Sequence, residues 1–366
     1  MLESALHKME FVVTGGTNYA AHRASLSLDR LLCKPTQVTL SVTDACAARC
    51  TMCDIWKLQP QDELSAAEWI NVLGQMRRWL GSFWLSITGG EPFQKPGIFE
   101  ILSFCKQQGI STKMSSNGMF LKPAFLDRVL QHGPDFLSLS IDSVDAEVHD
   151  RLRGIPGLHD RCVTAIRYLR ERSPNIVLGI ATVIMEDNVR DLTRLVEWAV
   201  DLGVDRVLFQ PLQPNFAADR REPGWHEHNP HWVSDSHVLA AVVDELLTIK
   251  QNGVPIWNSA TQLNVFKEYF HDPAHHSRPD ECLVRYSTLN VDPRGNANFC
   301  WTLSDNVGNV REQPIDQIWQ SHRAAAARGR MKHCRAPCTL NCYRNRSLGE
   351  MVQLARFFWN RQGNGR

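Results

Sequence analysis

The chain has 366 residues, 43% of them hydrophobic, and its 40 basic side chains against 39 acidic ones leave a formal charge of +1. That is enough chain to bury one large core plus a smaller unit, and so even a balance gives no electrostatic reason to expect nucleic acid or an anionic membrane as partner. No apolar run approaches the ~20 residues that span a bilayer and no charged-then-apolar leader opens the chain, so a soluble cytoplasmic protein is expected.

Residues 1–35 show no clean period, and Gly15-Gly16 reads as a turn. At 35 residues this lead-in is short. A first strand is expected over 37–43, where Val38, Leu40 and Val42 alternate. It runs into Cys46, Cys50 and Cys53, spaced C-x3-C-x2-C. Three thiolates packed this closely suit a metal cluster that takes three protein ligands and keeps one iron open. Ser65 and Glu68 form a capping box that opens a helix to about Leu80. A second strand over 83–88 ends in Gly89-Gly90-Glu91-Pro92. A helix near 98–108 stops at Gly109, a third strand over 111–116 closes on Asn117-Gly118, and a helix spans 124–131. A fourth strand over 135–142 carries Ser140 and Asp142. A helix over 158–172, a strand over 176–185, a helix over 189–202 and a strand over 205–211 follow.

Six βα units in succession predict a parallel barrel or partial barrel, and the motifs all fall at the carboxyl ends of strands, where such barrels place their active sites. Residues 211–233 break the pattern, and a helix is expected over 235–252. His226, His228, His231, His271, His275 and His276 are more simply polar loop residues than metal ligands.

A second cysteine group begins at Cys282, with Gly295 and Cys300 giving C-x12-G-x4-C, and continues as Cys334, Cys338 and Cys342. Between the first pair, 286–292 and 297–301 read as two strands joined by a turn at Pro293-Arg294-Gly295-Asn296. Eleven cysteines in a reducing compartment point to metal rather than disulfides. Cys105 and Cys162, in helical segments among apolar neighbours, read as core thiols. The tail from 349 to 366 has an amphipathic spacing that fits a docked helix.

The cysteine loop after a short strand, with Gly89-Gly90-Glu91-Pro92 about forty residues on, resembles the two hallmarks of the radical S-adenosylmethionine (SAM) superfamily. Met52 stands where that family often has an aromatic residue, and can still pack softly near an adenine. The C-terminal pattern resembles the family's auxiliary-cluster extension, called SPASM in full form and Twitch in shortened form, as do Val307-Gly308-Asn309-Val310 and 315–319. It has five cysteines where the full extension has seven.

The resemblance implies a (β/α)6 partial TIM barrel with a small C-terminal cysteine-rich cluster-binding subdomain. The expected division is a lead-in over 1–35, the barrel core over 36–235, a helical connector over 236–280, the auxiliary unit over 281–345 and a terminal helix or tail over 346–366. It implies that Cys46, Cys50 and Cys53 hold a [4Fe–4S] cluster whose open iron binds SAM. One auxiliary [4Fe–4S] cluster would be held by Cys282, Cys300 and two of Cys334, Cys338 and Cys342. The backbone of Gly89, Gly90, Glu91 and Pro92 would receive the SAM amino group, and Arg153 its carboxylate. Ser116, Asn117, Ser140 and Asp142 would lie near the ribose or carboxylate, and Gln210 near the adenine.

The expected function is SAM cleavage to a 5′-deoxyadenosyl radical that activates a C–H bond, giving dehydrogenation, epimerisation or cross-linking. The substrate would be a small natural-product intermediate or a ribosomal peptide. Partners would be an external flavodoxin- or ferredoxin-type electron donor and, for a peptide, a separate leader-binding protein. A tail without a Gly-Gly end argues against molybdenum-cofactor cyclisation, and the reduced cysteine count against sulfatase maturation. The other functional classes open to these residues are a non-catalytic iron–sulfur electron carrier and a zinc-stapled binding scaffold.

Overall fold

The computed structural model describes residues 2–173, 176–214, 224–273, 282–303 and 305–334. The chain opens with α1 (Leu2–Leu28), followed by β1 (Gln37–Ser41), α2 (Ala66–Leu80), β2 (Trp84–Thr88), α3 (Ile98–Gln107), β3 (Ser111–Ser116), α4 (Pro123–His132) and β4 (Phe136–Ser140). It continues through α5 (Ala146–Arg153), α6 (Leu158–Arg172), β5 (Val177–Ile184), α7 (Leu192–Asp201), β6 (Arg206–Pro211), α8 (Ser236–Gln251) and α9 (Ala260–His271). The C-terminal part holds β7 (Thr288–Val291), β8 (Asn296–Asn298), β9 (Gly308–Asn309), α10 (Ile315–Gln320) and α11 (His322–Lys332).

The strands form one sheet in the order β6-β5-β4-β3-β2-β1-β7-β8-β9. From β6 to β7 every pairing is parallel, so the chain must cross over between strands. β4 and β5 read as near-continuous buried runs rather than alternating ones. α2 illustrates how the helices are set. Ser65 accepts the Glu68 N–H and Glu68 returns the bond to the Ser65 N–H, and Trp69, Val72, Leu73, Met76 and Leu80 bury one face. The sheet does not close on itself. The outer edge of β6 is covered instead, because Val207 N–H donates to Pro255 O and Trp257 N–H to Val207 O.

Parallel register brings Ser41, Thr88, Ser116 and Ser140 to one rim. All the loops that follow these strands meet there.

Two expectations need correction, and one strand pairing adds to the expected fold. Residues 1–35 are not a patternless lead-in with a turn at Gly15-Gly16, since α1 runs straight through both glycines. It is held by tertiary contacts rather than propensity: Asn18 Nδ2 donates to Lys34 O, and Asp29, just past the helix, pairs with the buried Arg285 at 2.6 Å. Next, the strand expected over 297–301 is shorter, ending at Asn298 in β8. Last, the C-terminal hairpin extends the barrel sheet, since β7 pairs in parallel with β1, placing Val38 beside Leu289 and Leu40 beside Val291. The terminal segment 346–366 lies outside the described residues. Cys105 and Cys162 are buried among apolar side chains, as core thiols should be. Among the described residues no helix is long and apolar enough to cross a membrane.

Candidate active site

Cys46, Cys50 and Cys53 lie on the loop leaving β1, with Cys50 buried and the other two half-buried. The loop is laced to the end of α5. Arg49 N–H donates to Arg153 O at 3.1 Å and Thr51 N–H to Leu152 O at 2.9 Å. Gly154 takes a left-handed conformation there (φ 66°), and a Cβ on it would come within 2.7 Å of Arg49 O, so helix end and cysteine loop approach as only glycine permits. Burial pushes the Cys46 thiol up to about 11, with Cys50, Glu91 and Cys53 adding negative charge nearby. Burial likewise raises Cys53. Thiols raised in this way release their protons when a metal neutralises them.

Donors already point at these sulfurs. Asn117 Nδ2 lies 3.7 Å from Cys46 Sγ and Arg153 Nη1 3.9 Å from Cys50 Sγ. The Ala48 and Ile55 N–H groups donate to Cys46 and Cys53. Such donors suit thiolates bearing the net negative charge of an iron–sulfur cluster. Among the described residues no three His, Cys, Asp or Glu side chains gather closely enough to hold a single ion; cluster ligands each bind a different iron and need not converge.

Gly89-Gly90-Glu91-Pro92 stands against the cysteine loop. Gly90 N–H donates to Thr43 O at 2.7 Å and Glu91 N–H to Ala45 O at 2.8 Å. A Cβ at Gly90 would sit 2.3 Å from Ala45 O, which is why no larger residue fits. Glu91 does not face the rim opening. It is fully buried and accepts from Ser116 Oγ (2.9 Å), Asn117 N–H (2.7 Å) and Phe93 N–H (3.1 Å). Burial raises its carboxyl to about 7 despite these donors. Its work is to lock the loop after β2 to the loop after β3. Ser116 is spent in the same contact, and its Oγ also accepts the Gly118 N–H. Pro92 is buried at the start of a short helical turn.

Asp142 is fully buried and pairs with Arg153 at 2.6 Å, its other oxygen taking the Val183 N–H at 3.0 Å. The side chain expected beside a ligand carboxylate is thus already bound to a protein one, and also reaches Cys50. Ser140 and Gln210 lie partly exposed at the carboxyl ends of β4 and β6.

Sequence reasoning did not find Glu63, which accepts from Thr43 Oγ1 and the Asp44 N–H and pairs with Lys95 at 3.1 Å. Nor did it find Arg294, which pairs with Asp44 at 2.7 Å and joins the β7–β8 turn to the cysteine loop. Both are ordinary charged residues whose role depends on strands distant in sequence. Of the loop histidines, His231 bonds Asp187 at 2.6 Å and His271 lies 3.4 Å from Ser236 Oγ, while His275 and His276 lie outside the described residues.

In the second cysteine group, Cys300 and Cys334 both lie within electrostatic range of Cys282, and burial raises Cys282 to about 11. The Val284 and Arg285 N–H groups donate to the Cys282 sulfur. Cys338 and Cys342 lie outside the described residues.

A partial βα barrel whose rim carries a three-cysteine loop against a Gly-Gly-Glu-Pro turn, with further cysteines on a C-terminal hairpin, defines a class of iron–sulfur enzymes. The Radical SAM superfamily model matches residues 40–199, and a model for an iron–sulfur cluster-binding domain, SPASM, matches residues 282–343. The chain belongs to the radical SAM superfamily and carries its SPASM extension. It is similar to an AdoMet-dependent heme synthase of Methanosarcina barkeri, 25% identical over 78% of this chain and 82% of that protein. It is also similar to a PqqA peptide cyclase of Granulibacter bethesdensis, 24% identical over 78% of this chain and 74% of that protein. In fold it resembles SuiB of Streptococcus suis bound to S-adenosylmethionine, with a TM-score of 0.67, 18% identity, and 88% of this chain and 77% of that one covered. The family's cofactors are therefore those of this chain: a [4Fe–4S] cluster, SAM and, in the extension, auxiliary iron–sulfur clustering. The thiol set and the donors around it fit that group.

Proposed function

We propose that this radical SAM enzyme activates a C–H bond of a peptide, producing dehydrogenation, epimerisation or a cross-link. The observation that carries the reading is the pairing of the two cysteine groups on one sheet, with Arg294 of the auxiliary hairpin bound to Asp44 two residues before Cys46. Bound at the rim, the cluster and SAM supply a one-electron cleavage that yields a 5′-deoxyadenosyl radical. The chain's residues do the rest. Cys46, Cys50 and Cys53 hold the cluster. Glu91 and Ser116 keep the loops after β2 and β3 at fixed separation. The backbone of Gly89, Gly90, Glu91 and Pro92 would receive the SAM amino group, with Asn117, Ser140 and Gln210 on the surrounding rim and the buried Asp142–Arg153 pair behind Cys50. Cys282, Cys300 and two of Cys334, Cys338 and Cys342 would hold one auxiliary cluster, which would supply an electron acceptor or a binding point for the substrate.

A peptide is favoured because the PqqA peptide cyclase and the SuiB structure bound to precursor peptide SuiA combine peptides with this architecture. A small molecule is the second reading, supported by the similarity to the heme synthase. An external flavodoxin- or ferredoxin-type donor, a separate leader-binding protein and a cytoplasmic site of action complete the proposal. The barrel core over 36–235 and the auxiliary unit over 281–345 are its two working parts. The test is isotopic. Reconstituted enzyme is incubated with SAM, a reductant and perdeuterated peptides from reading frames adjoining its gene. Deuterium in 5′-deoxyadenosine is the expected result; deuterium drawn only from a small-molecule extract would contradict the peptide reading.

A further inference from the structure

The buried residues behind Cys50 do more than hold a loop in place. We propose that Arg153, aimed by Asp142 and His149, donates to Cys50 Sγ and thereby sets the reduction potential of the cluster bound there. Arg153 is the residue in contact with the ligand sulfur; Asp142 and His149 are positioning residues. The inference rests on the radical SAM reading above and adds a role for a residue otherwise assigned only to SAM.

Both ends of the guanidinium are engaged. Nε donates to Asp142 Oδ2 at 2.6 Å and Nη1 lies 3.9 Å from Cys50 Sγ. The backbone cannot drift, because Arg153 O accepts the Arg49 N–H from the cysteine loop itself. Asp142 is held on every side. Its Oδ1 takes the Val183 N–H (3.0 Å), its carbonyl takes Asn188 Nδ2 (2.8 Å), and its own N–H donates to His149 Nδ1 (3.2 Å). His149 is fully buried and serves as an acceptor at Nδ1, so the neutral ring carries its proton on Nε2. That Nε2 has no partner among the described residues. A histidine kept at that cost, for one backbone hydrogen bond to Asp142, is spent on placing Asp142.

A planar fork joined to a carboxylate at one nitrogen and a ligand sulfur at another is rigid in a way a lysine is not. Donation to a ligating sulfur, with positive charge close by, stabilises the reduced and more negative cluster and raises its potential. Loss of Arg153 removes both and leaves Asp142 as an uncompensated negative charge.

The experiment is a mediator-coupled reductive titration of the reconstituted full chain, followed by EPR without SAM. The relevant signal is the one that changes shape when SAM is later added. Arg153→Gln is expected to keep its iron and titrate at a more negative potential. His149→Phe is expected to shift the potential, and His149→Gln, which restores an acceptor, to bring it back toward wild type. Should Arg153→Gln fail to bind iron, Arg153→Lys keeps the cation without the fork and is expected to titrate more negative than wild type. A wild-type potential in the Arg153 variant that retains iron overturns the inference. A wild type in which Cys46, Cys50 and Cys53 bind no cluster overturns the functional reading instead, and iron content separates the two.

Discussion

Glu91 Oε2 accepts the backbone N–H of Asn117 at 2.7 Å, so the turn after β2 and the loop after β3 are joined by one fully buried carboxyl. Asn117 in turn reaches Cys46 Sγ. The contact therefore transmits the position of the Gly-Gly-Glu-Pro turn to the cysteine loop.

That carboxyl gives a pH prediction. Burial raises Glu91 to about 7 from an ordinary 4.5. Between these values the folded protein holds a proton that the unfolded chain has released, so Glu91's contribution to stability falls as pH rises through the window. Glu91→Gln cannot titrate. The stability of wild-type apoprotein relative to Glu91→Gln should fall between pH 4.5 and 7 by up to about 3 kcal/mol. Urea unfolding at a series of pH values measures this, and a pH-independent difference would show the carboxyl stays ionised in both states.

Gly90→Ala tests the approach of the two loops. The added methyl would lie 2.3 Å from Ala45 O and 2.8 Å from Asp44 O, both backbone atoms that cannot swing aside. A cost of roughly 1–3 kcal/mol is expected, together with lost iron at the first cysteine group. Thermal unfolding and iron analysis report the two effects, and wild-type values of both would refute the close packing.

Asp29→Ala addresses α1. Arg285 is almost wholly buried while Asp29 is nearly half exposed, so water screens part of the pair. Removing the carboxylate takes this partner from a buried cation and should cost about 2 kcal/mol, below the usual range for fully buried pairs. Asp29 is held down at about 2, first by Lys332 and then by Arg285. Its contribution is thus present above pH ~4 and lost as pH falls toward 2. Chemical denaturation of Asp29→Ala at pH 7 and pH 3 checks both statements, the smaller difference being expected at pH 3.

The barrel was legible because its signals are local. Val38, Leu40 and Val42 alternate, Ser65 and Glu68 form the expected box, and Ser111–Ser116 is a strand with the bounds its pattern suggests. What could not be read depends on distant partners. α1 contains two glycines, and the contact that anchors the residue just past its end, Asp29 to Arg285, comes from the C-terminal part. The α5 helix is short and polar, and was hidden by its charged sequence; its capping by Asp145 and its left-handed end at Gly154 define it. β7 looks like half of an isolated hairpin because nothing in its four residues names β1 as its neighbour. In the site, the cysteines and glycines carry chemistry in their spacing. The direction of the Glu91 and Arg153 side chains does not follow from spacing, since it depends on Ser116, Asn117 and Asp142 on other loops.

The central claim is a two-cluster radical enzyme, and one measurement reaches it directly. The full chain is reconstituted anaerobically with iron and sulfide, its iron counted, and 5′-deoxyadenosine sought after addition of SAM and reductant. The account predicts about eight irons in the wild type and about four in the Cys46→Ala/Cys50→Ala/Cys53→Ala variant, one cubane having been removed. 5′-Deoxyadenosine should be made only by the wild type. An unchanged iron content in the variant, or a fully loaded wild type that leaves SAM uncleaved in the presence of reductant and peptide, would contradict it.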